Sequence, residues 1–176
     1  MRVLRGSFLL LLSMILISAK PTPPKTPVKT TAAPTQSVAA NLKNFDDLDF
    51  NVFSKQKWDD LSKSHAQDIL VHWPDGHTTT GIQQHVADLK AMFQWAPDLK
   101  IKAHPVKFGS GEWTAVIGDV EGTFTRPMPL GHARSVQPTM RHFKYQMSTI
   151  GRWRNGVMVE EYLFWDNQSL TKQLGL

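Results

Sequence analysis

Val157–Leu176 reads V-M-V-E-E-Y-L-F-W-D-N-Q-S-L-T-K-Q-L-G-L, and two periodicities meet inside it. Val157 to Trp165 is rich in β-branched and aromatic residues and follows Asn155-Gly156, a dipeptide suited to a tight hairpin turn, so it reads as a strand. Asn167 to Leu174 has Leu170 and Leu174 four residues apart, Lys172 in the last turn and Gly175 where a helix would stop. It reads as a short helix, and Asp166 stands at the junction. Strict alternation puts Asp166 on the face of Phe164, Tyr162, Glu160 and Met158, with Trp165, Leu163 and Glu161 on the other. Two roles for Asp166 follow. Aspartate just before a helix is a favoured N-cap, although Asn167 offers a second capping side chain. A carboxyl ending an aromatic face is poorly hydrated, which raises its pKa and makes it a usable proton donor.

Working back along the chain, Thr139 to Trp153 reads as a long strand and Arg126 to Pro138 as a loop. Glu112 to Thr125 is another long strand, with Gly118 and Gly122 as bends or bulges. Leu99 to Phe108 is a strand closed by the turn Gly109-Ser110-Gly111. Before it, Ile82, Val86, Leu89 and Phe93 form the stripe of an amphipathic helix ended by Trp95-Ala96-Pro97-Asp98. Asp68 to Trp73 is a strand stopped by Pro74-Asp75-Gly76. Asn41 to His65 reads as one or two helices, broken between Asp49 and Ser54, with Ser54 as N-cap of the second. Helices followed by consecutive long strands imply an α+β domain, an antiparallel sheet curled over helices.

The 176 residues suffice for one ordinary domain, and 41% hydrophobic content suffices for a core. Arg2 and Arg5, the apolar run Phe8 to Ile17, and Ser18-Ala19 have the pattern of a secretory signal peptide over 1–19. The run is too short to span a bilayer, so an exported protein without a membrane anchor is expected. Residues 20–40, rich in Pro and Thr, read as a flexible linker, and 41–176 as the folded domain. The net charge of +5 sits wholly in residues 1–40, leaving fifteen bases against fifteen acids beyond them. That balance gives no electrostatic case for nucleic acid. The chain has no cysteine, which excludes disulfides and thiolate chemistry.

The densest polar cluster is H-W-P-D-G-H-T-T-T-G, His72 to Gly81. The spacing of His72, Asp75 and His77 matches no helical metal motif and lies in a turn, so no metal is expected; a pocket role for one of these histidines remains open. His104, in a strand beside Pro105, is a further candidate. Gly109-Ser110-Gly111 lacks the spacing of a nucleophile elbow. Glu160 and Glu161 point to opposite faces and cannot act as a pair. Asn167-Gln168-Ser169 is a formal glycosylation sequon.

Taken together, the N-terminal helices, H-W-P-D-G-H-T-T-T-G-I leading into a helix that ends W-A-P-D, the strand end G-T-F-T at Gly122 to Thr125, and E-E-Y-L-F-W-D-N-Q-S-L-T-K-Q-L-G-L resemble the SnoaL-like polyketide cyclases, or ester cyclases, of the NTF2-like superfamily. The resemblance covers about 41–176. It implies a cone-shaped α+β barrel, N-terminal helices packed in a strongly curved antiparallel sheet, with an apolar cavity open at one end. It also implies cofactor-free, metal-free ring closure by intramolecular aldol condensation, with an aspartate as acid/base; that role falls on Asp166. His72 and His104 are the expected catalytic partners. Trp73, His77, Trp95, Phe124, Tyr162 and Phe164 are the expected substrate-binding side chains, Phe124 standing where the family often has histidine. The partner implied is a small hydrophobic or aromatic carbonyl compound, with a homodimer formed through the outer sheet face. Export does not fit polyketide assembly, so a second reading is an exported NTF2-like protein that binds a small molecule without chemistry.

Overall fold

Among the described residues, five helical segments accompany a curved six-stranded sheet and a small two-stranded one. The computed structural model describes residues 37–131 and 134–176. The signal peptide expected over 1–19 and the linker up to residue 36 lie outside the described residues. The linker's last residues are helical: α1 spans Val38–Asp47 and is capped by Ser37, whose side chain accepts from Ala40 N. The helix then widens into a π-helical turn, Leu48–Phe53, closed by Ser54 N donating to the Asp49 carbonyl at 3.1 Å and Lys57 N to the Val52 carbonyl at 2.9 Å. A 3-10 turn, Trp58–Lys63, completes the segment. Ser54 thus ends the first helical run rather than capping a second: its hydroxyl donates to the Asp49 carbonyl and accepts from Ile101 N.

The remaining elements are β1 (His65–His72), β2 (Thr78–Thr80), α2 (Ile82–Trp95), β3 (Lys100–Ser110), β4 (Trp113–Thr123), β5 (Met128–Gly131), β6 (Arg134–Val136), β7 (His142–Arg154), β8 (Val157–Phe164) and α3 (Asn167–Leu174). The main sheet has the order β2-β1-β8-β7-β4-β3. Its pairs are antiparallel except β1 with β8, which run parallel, so the sheet is mixed rather than wholly antiparallel. A parallel neighbour is reached here because the whole helix-and-meander segment lies between β1 and β8. The stretch Arg126 to Pro138, expected as a loop, carries the small β5–β6 hairpin. Asn155 and Gly156 both have positive φ, 51° and 85°, as the β7–β8 hairpin turn requires.

The inner face of the sheet packs on the helices. Phe45, Leu48, Val52 and Phe53 come from the N-terminal segment, Leu89 and Phe93 from α2, and Val71, Ile101, Val116, Val120, Phe143 and Leu163 from the strands. Each such side chain, fully buried, contributes about 1.5–3 kcal/mol before entropy is counted. Phe93 is edge-on to both Phe53 (5.1 Å) and Trp58 (5.5 Å), which ties α2 to the N-terminal turns. Trp153 is buried with its indole N–H donating to Thr114 Oγ1, whereas Trp113 is 39% exposed on the outer face.

Gly118 and Gly122 do not interrupt the β4–β7 ladder, whose register is continuous from Trp113 to Thr123. They make room. A Cβ on Gly122 would stand 2.7 Å from the Phe143 ring and 3.3 Å from Leu99 Cα, and one on Gly118 would press on Ile101 and approach His104. The register shifts lie elsewhere, in β3 at Lys102 and around His104-Pro105, in β1 between His65 and Leu70, and in β8 at Val159. Gly122→Ala is expected to cost about 1–3 kcal/mol, as overpacking does, read as a lower midpoint in denaturant unfolding.

Candidate active site

Between α2, the π-helical turn and the inner face of the sheet lies a narrow cavity, partly open to solvent, of about 40 Å³. Its apolar wall includes Leu48, Phe53, Leu89, Ile101, Val120 and Leu163, with Trp73, Tyr145 and Trp165 as the aromatic part. Four polar side chains face it that could move a proton or hold an ion: Asp49, His65, His85 and Glu161.

Asp49 is carried by the π-helical turn, whose extra residue per turn is a frequent feature of functional sites. His104 Nε2 lies 2.8 Å from Asp49 Oδ2, and its Nδ1 lies 2.8 Å from Asp46 Oδ1. Lys107 then bonds the other oxygen of Asp46. The bulge in β3 turns His104 inward into this position, where its side chain is 2% exposed. The chain Asp49–His104–Asp46 therefore runs from the cavity to a half-exposed carboxylate. Burial pulls the His104 pKa down, but hydrogen bonds and charges from Asp49 and Asp46 outweigh it and hold the imidazole above its ordinary value. Burial raises the Asp49 carboxyl, and His104 offsets this only in part. Asp46 is held low: burial would raise it, but the bonds and charges of Lys107 and His104 prevail. Burial also pushes the Tyr145 phenol up, so it stays protonated and able to donate.

On the β1–β8 side, Glu161 Oε2 lies 3.3 Å from His85 Nε2 and 3.7 Å from His65 Nε2. All three residues are buried. Burial depresses the His85 pKa to about 4, leaving that imidazole neutral at pH 7. Glu161 reaches the cavity because β8 is bulged: Arg152 pairs with Glu160 and Trp153 with Met158, so Val159 is an extra residue. Met158 and Glu161 then both point inward, which simple alternation forbids.

A sequence profile described as SnoaL-like polyketide cyclase matches residues 50–174. The chain belongs to the SnoaL-like polyketide cyclase family. No curated protein sequence matches it. Among solved structures, a candidate SnoaL-like polyketide cyclase from Jannaschia sp. CCS1 is similar at 17% identity and TM-score 0.69, covering 81% of this chain and 95% of that one. IdmH, a candidate polyketide cyclase from Streptomyces antibioticus, is similar at 21% identity and TM-score 0.66, covering 77% of this chain and 99% of its own. An LEH-like epoxide hydrolase of M. tuberculosis has TM-score 0.60 at 9% identity, covering 78% of this chain and 90% of that one. These likenesses show the NTF2-like fold of the SnoaL-like proteins.

Within that SnoaL-like fold, the residues expected from sequence scatter. Trp73 lines the cavity. His104 reaches it through Asp49. Trp95, Phe124 and Phe143 lie outside the cavity lining, with centroids of Trp95 5.7 Å from Phe124 and 5.4 Å from Phe143, and Phe143 stacks at 6.1 Å on the cavity residue Tyr145. His72 stacks on Tyr162 at 4.0 Å and bonds Glu160, all on the outer sheet face, and Phe164 is exposed there. His77 is exposed, bonded to Asp75 and stacked on Trp73. Asp166 is exposed and caps α3, accepting from Ser169 N at 3.0 Å. The bulge at Val159 is the reason: it sends Glu161, Leu163 and Trp165 into the cavity and Tyr162 and Phe164 outward.

Four residues that sequence reasoning passed over now hold the site. Asp49 lies four after Phe45 and three before Val52, and His85 lies three after Ile82 and four before Leu89, so both are polar positions on apolar helical stripes. That was the available signal. Glu161 and His65 carried none, because their placement depends on the bulge and on the start of β1.

The His104 pair generates a pH test. Its folded-state pKa lies above the unfolded 6.5, so its contribution to stability is full below about pH 6.5 and is lost as pH rises through the folded-state value. A histidine-selective NMR titration is expected to find His104 above 6.5. The stability gap between the native chain and His104→Asn is expected to narrow as pH rises over the same range.

Proposed function

We propose that this family member catalyses a cofactor-free acid/base reaction, ring closure by aldol condensation or a related isomerisation, on a small hydrophobic carbonyl compound held in the cavity. In this reading the protein is exported, and Asp49 rather than Asp166 is the proton-transfer group. The observation that carries it is the buried carboxyl of Asp49 in an aromatic-lined cavity, tied through His104 to Asp46.

A carbon between two carbonyls is acidic enough for a carboxylate in a dry pocket to take its proton. The enolate carbon then attacks the acceptor carbonyl; a C–C bond forms and the C=O π pair becomes an oxyanion. The proton held by Asp49 passes to that oxygen, so none is gained or lost overall. Tyr145 donates its phenol O–H to the developing negative charge. Trp73, Trp165 and Leu163 shape the substrate and exclude water. The imidazolium of His104 keeps Asp49 from being trapped in the protonated form that burial alone would favour.

On a true substrate, Asp49→Asn is expected to lower kcat by roughly 10²-fold or more. Asp166→Asn is expected to stay within about threefold, while Asp166→Ala lowers stability by about 1 kcal/mol through loss of the cap. Retained activity in Asp49→Asn with loss in Asp166→Asn would reverse the assignment. If ligand binding is measurable and no turnover is found with any β-dicarbonyl, the non-catalytic binding reading stands instead.

A homodimer is part of the same proposal. Phe108, Ala115, Ile150, Tyr162 and His72 are register partners across five strands on the outer face, with the exposed Phe164, Val106 and Trp113 beside them. Light scattering on the eluted protein is expected to give twice the chain mass, and Phe108→Glu to return it to the monomer.

A further inference from the structure

His65, His85 and Glu161 come from three elements: the first residue of β1, the first turns of α2 and the centre of β8. Their side chains are 1%, 3% and 6% exposed. Nδ1 of His65 lies 2.9 Å from Ser64 Oγ, and the Ser64 hydroxyl donates to the Leu61 carbonyl at 3.1 Å. With the Ser64 hydroxyl assigned to the Leu61 carbonyl, the ring nitrogen is the donor in the first of these bonds, and the His65 proton is assigned to Nδ1. Nε2 of His65 then presents a bare lone pair to the Glu161 carboxylate at 3.7 Å, a distance at which no hydrogen bond joins them. His65 Nε2 and Glu161 Oε2 are both buried without a partner, as is His85 Nδ1. Two electron-rich atoms facing each other in a dry wall repel unless something positive stands between them.

The spacing indicates what fits. One ligand atom from each residue, two imidazole nitrogens and a carboxylate oxygen, lie within 4.8 Å of one another. Around a tetrahedral ion with bonds of about 2.0–2.2 Å, neighbouring ligand atoms are separated by roughly 3.3–3.6 Å. The observed 3.3 and 3.7 Å agree with that edge. Two imidazoles with one carboxylate suit zinc and its first-row neighbours, whereas calcium and magnesium favour all-oxygen shells. Ser64 supplies the outer bond that orients a metal-ligating histidine. Three protein ligands leave a position open, and all three residues line the cavity.

We propose that His65, His85 and Glu161 bind one divalent transition-metal ion of the zinc type, with its open position facing the cavity. This departs from the metal-free expectation and from the His72, Asp75 and His77 group. It stands independently of the Asp49 reading, since occupancy is measured without turnover. An ion here would supply a Lewis acid to a carbonyl oxygen bound in the same cavity.

The test uses the full chain, stripped with a chelator and titrated with Zn²⁺ by calorimetry, with metal content measured after desalting. About one ion per chain is expected, with affinity at least 10-fold weaker in Ser64→Ala, which keeps all three ligands. Co²⁺ in place of Zn²⁺ is expected to give the intense visible absorption of a four- or five-coordinate nitrogen and oxygen site, lost in Glu161→Gln. Should Glu161→Gln not fold, the native Co²⁺ spectrum and Ser64→Ala decide the matter. Occupancy below about a tenth of an ion per chain after loading overturns the proposal. So does stoichiometric binding that Ser64→Ala and folded Glu161→Gln leave unchanged, since the ion would then sit elsewhere.

Discussion

One extra residue in β8, Val159, decides which side chains this domain shows to its cavity. Before it, Met158 faces the core; after it, Glu161, Leu163 and Trp165 do. Because side-chain direction in a strand has period two, a single insertion exchanges the two faces for every residue that follows. In the parallel β1–β8 pair His65 is opposite Met158 and Val71 opposite Glu161, with the register shifted between His65 and Leu70; the His65 side chain reaches Glu161 from there, and α2 brings His85. A bulge in β3 at His104-Pro105 turns His104 inward on the opposite wall. Both buried polar groups of the cavity depend on places where the ladder is irregular.

Those irregularities also mark the limit of what the sequence discloses. The order of elements, the Asn155-Gly156 hairpin, the α2 stripe and the short C-terminal helix were all legible, since each is written in local periodicity or turn chemistry. The fold family was legible too, through motifs that need no geometry. The face assignment of β8 was not. Nothing in V-M-V-E-E-Y marks Val159 as the residue that fails to pair, because a bulge is set by the neighbouring strand as much as by its own residue. His104 was found but its partners were not, for Asp46 and Asp49 lie 58 and 55 residues away. Asp166 was found at a helix start, and the structure shows its capping bond.

The cavity holds its polar groups in two unlike states. On one wall each ionisable group of the Asp49–His104–Asp46 chain has an ionisable neighbour of opposite sign, so burial is offset at least in part by pairing. On the other, three buried atoms lack any partner. Buried polar atoms in folded proteins are in the large majority paired, and a substrate, a proton or an ion would complete these three. The contrast between a satisfied wall and an unsatisfied one within a single pocket gives the site a direction.

The route from Asp49 through His104 ends at Asp46, a partly exposed carboxylate that does not line the cavity and is bonded to Lys107. A ligand seated in the cavity leaves Asp46 in contact with solvent. Bulk pH can thus reset the charge of the buried carboxyl while the ligand is still in place. Filling and emptying the pocket need not keep step with the arrival and departure of protons.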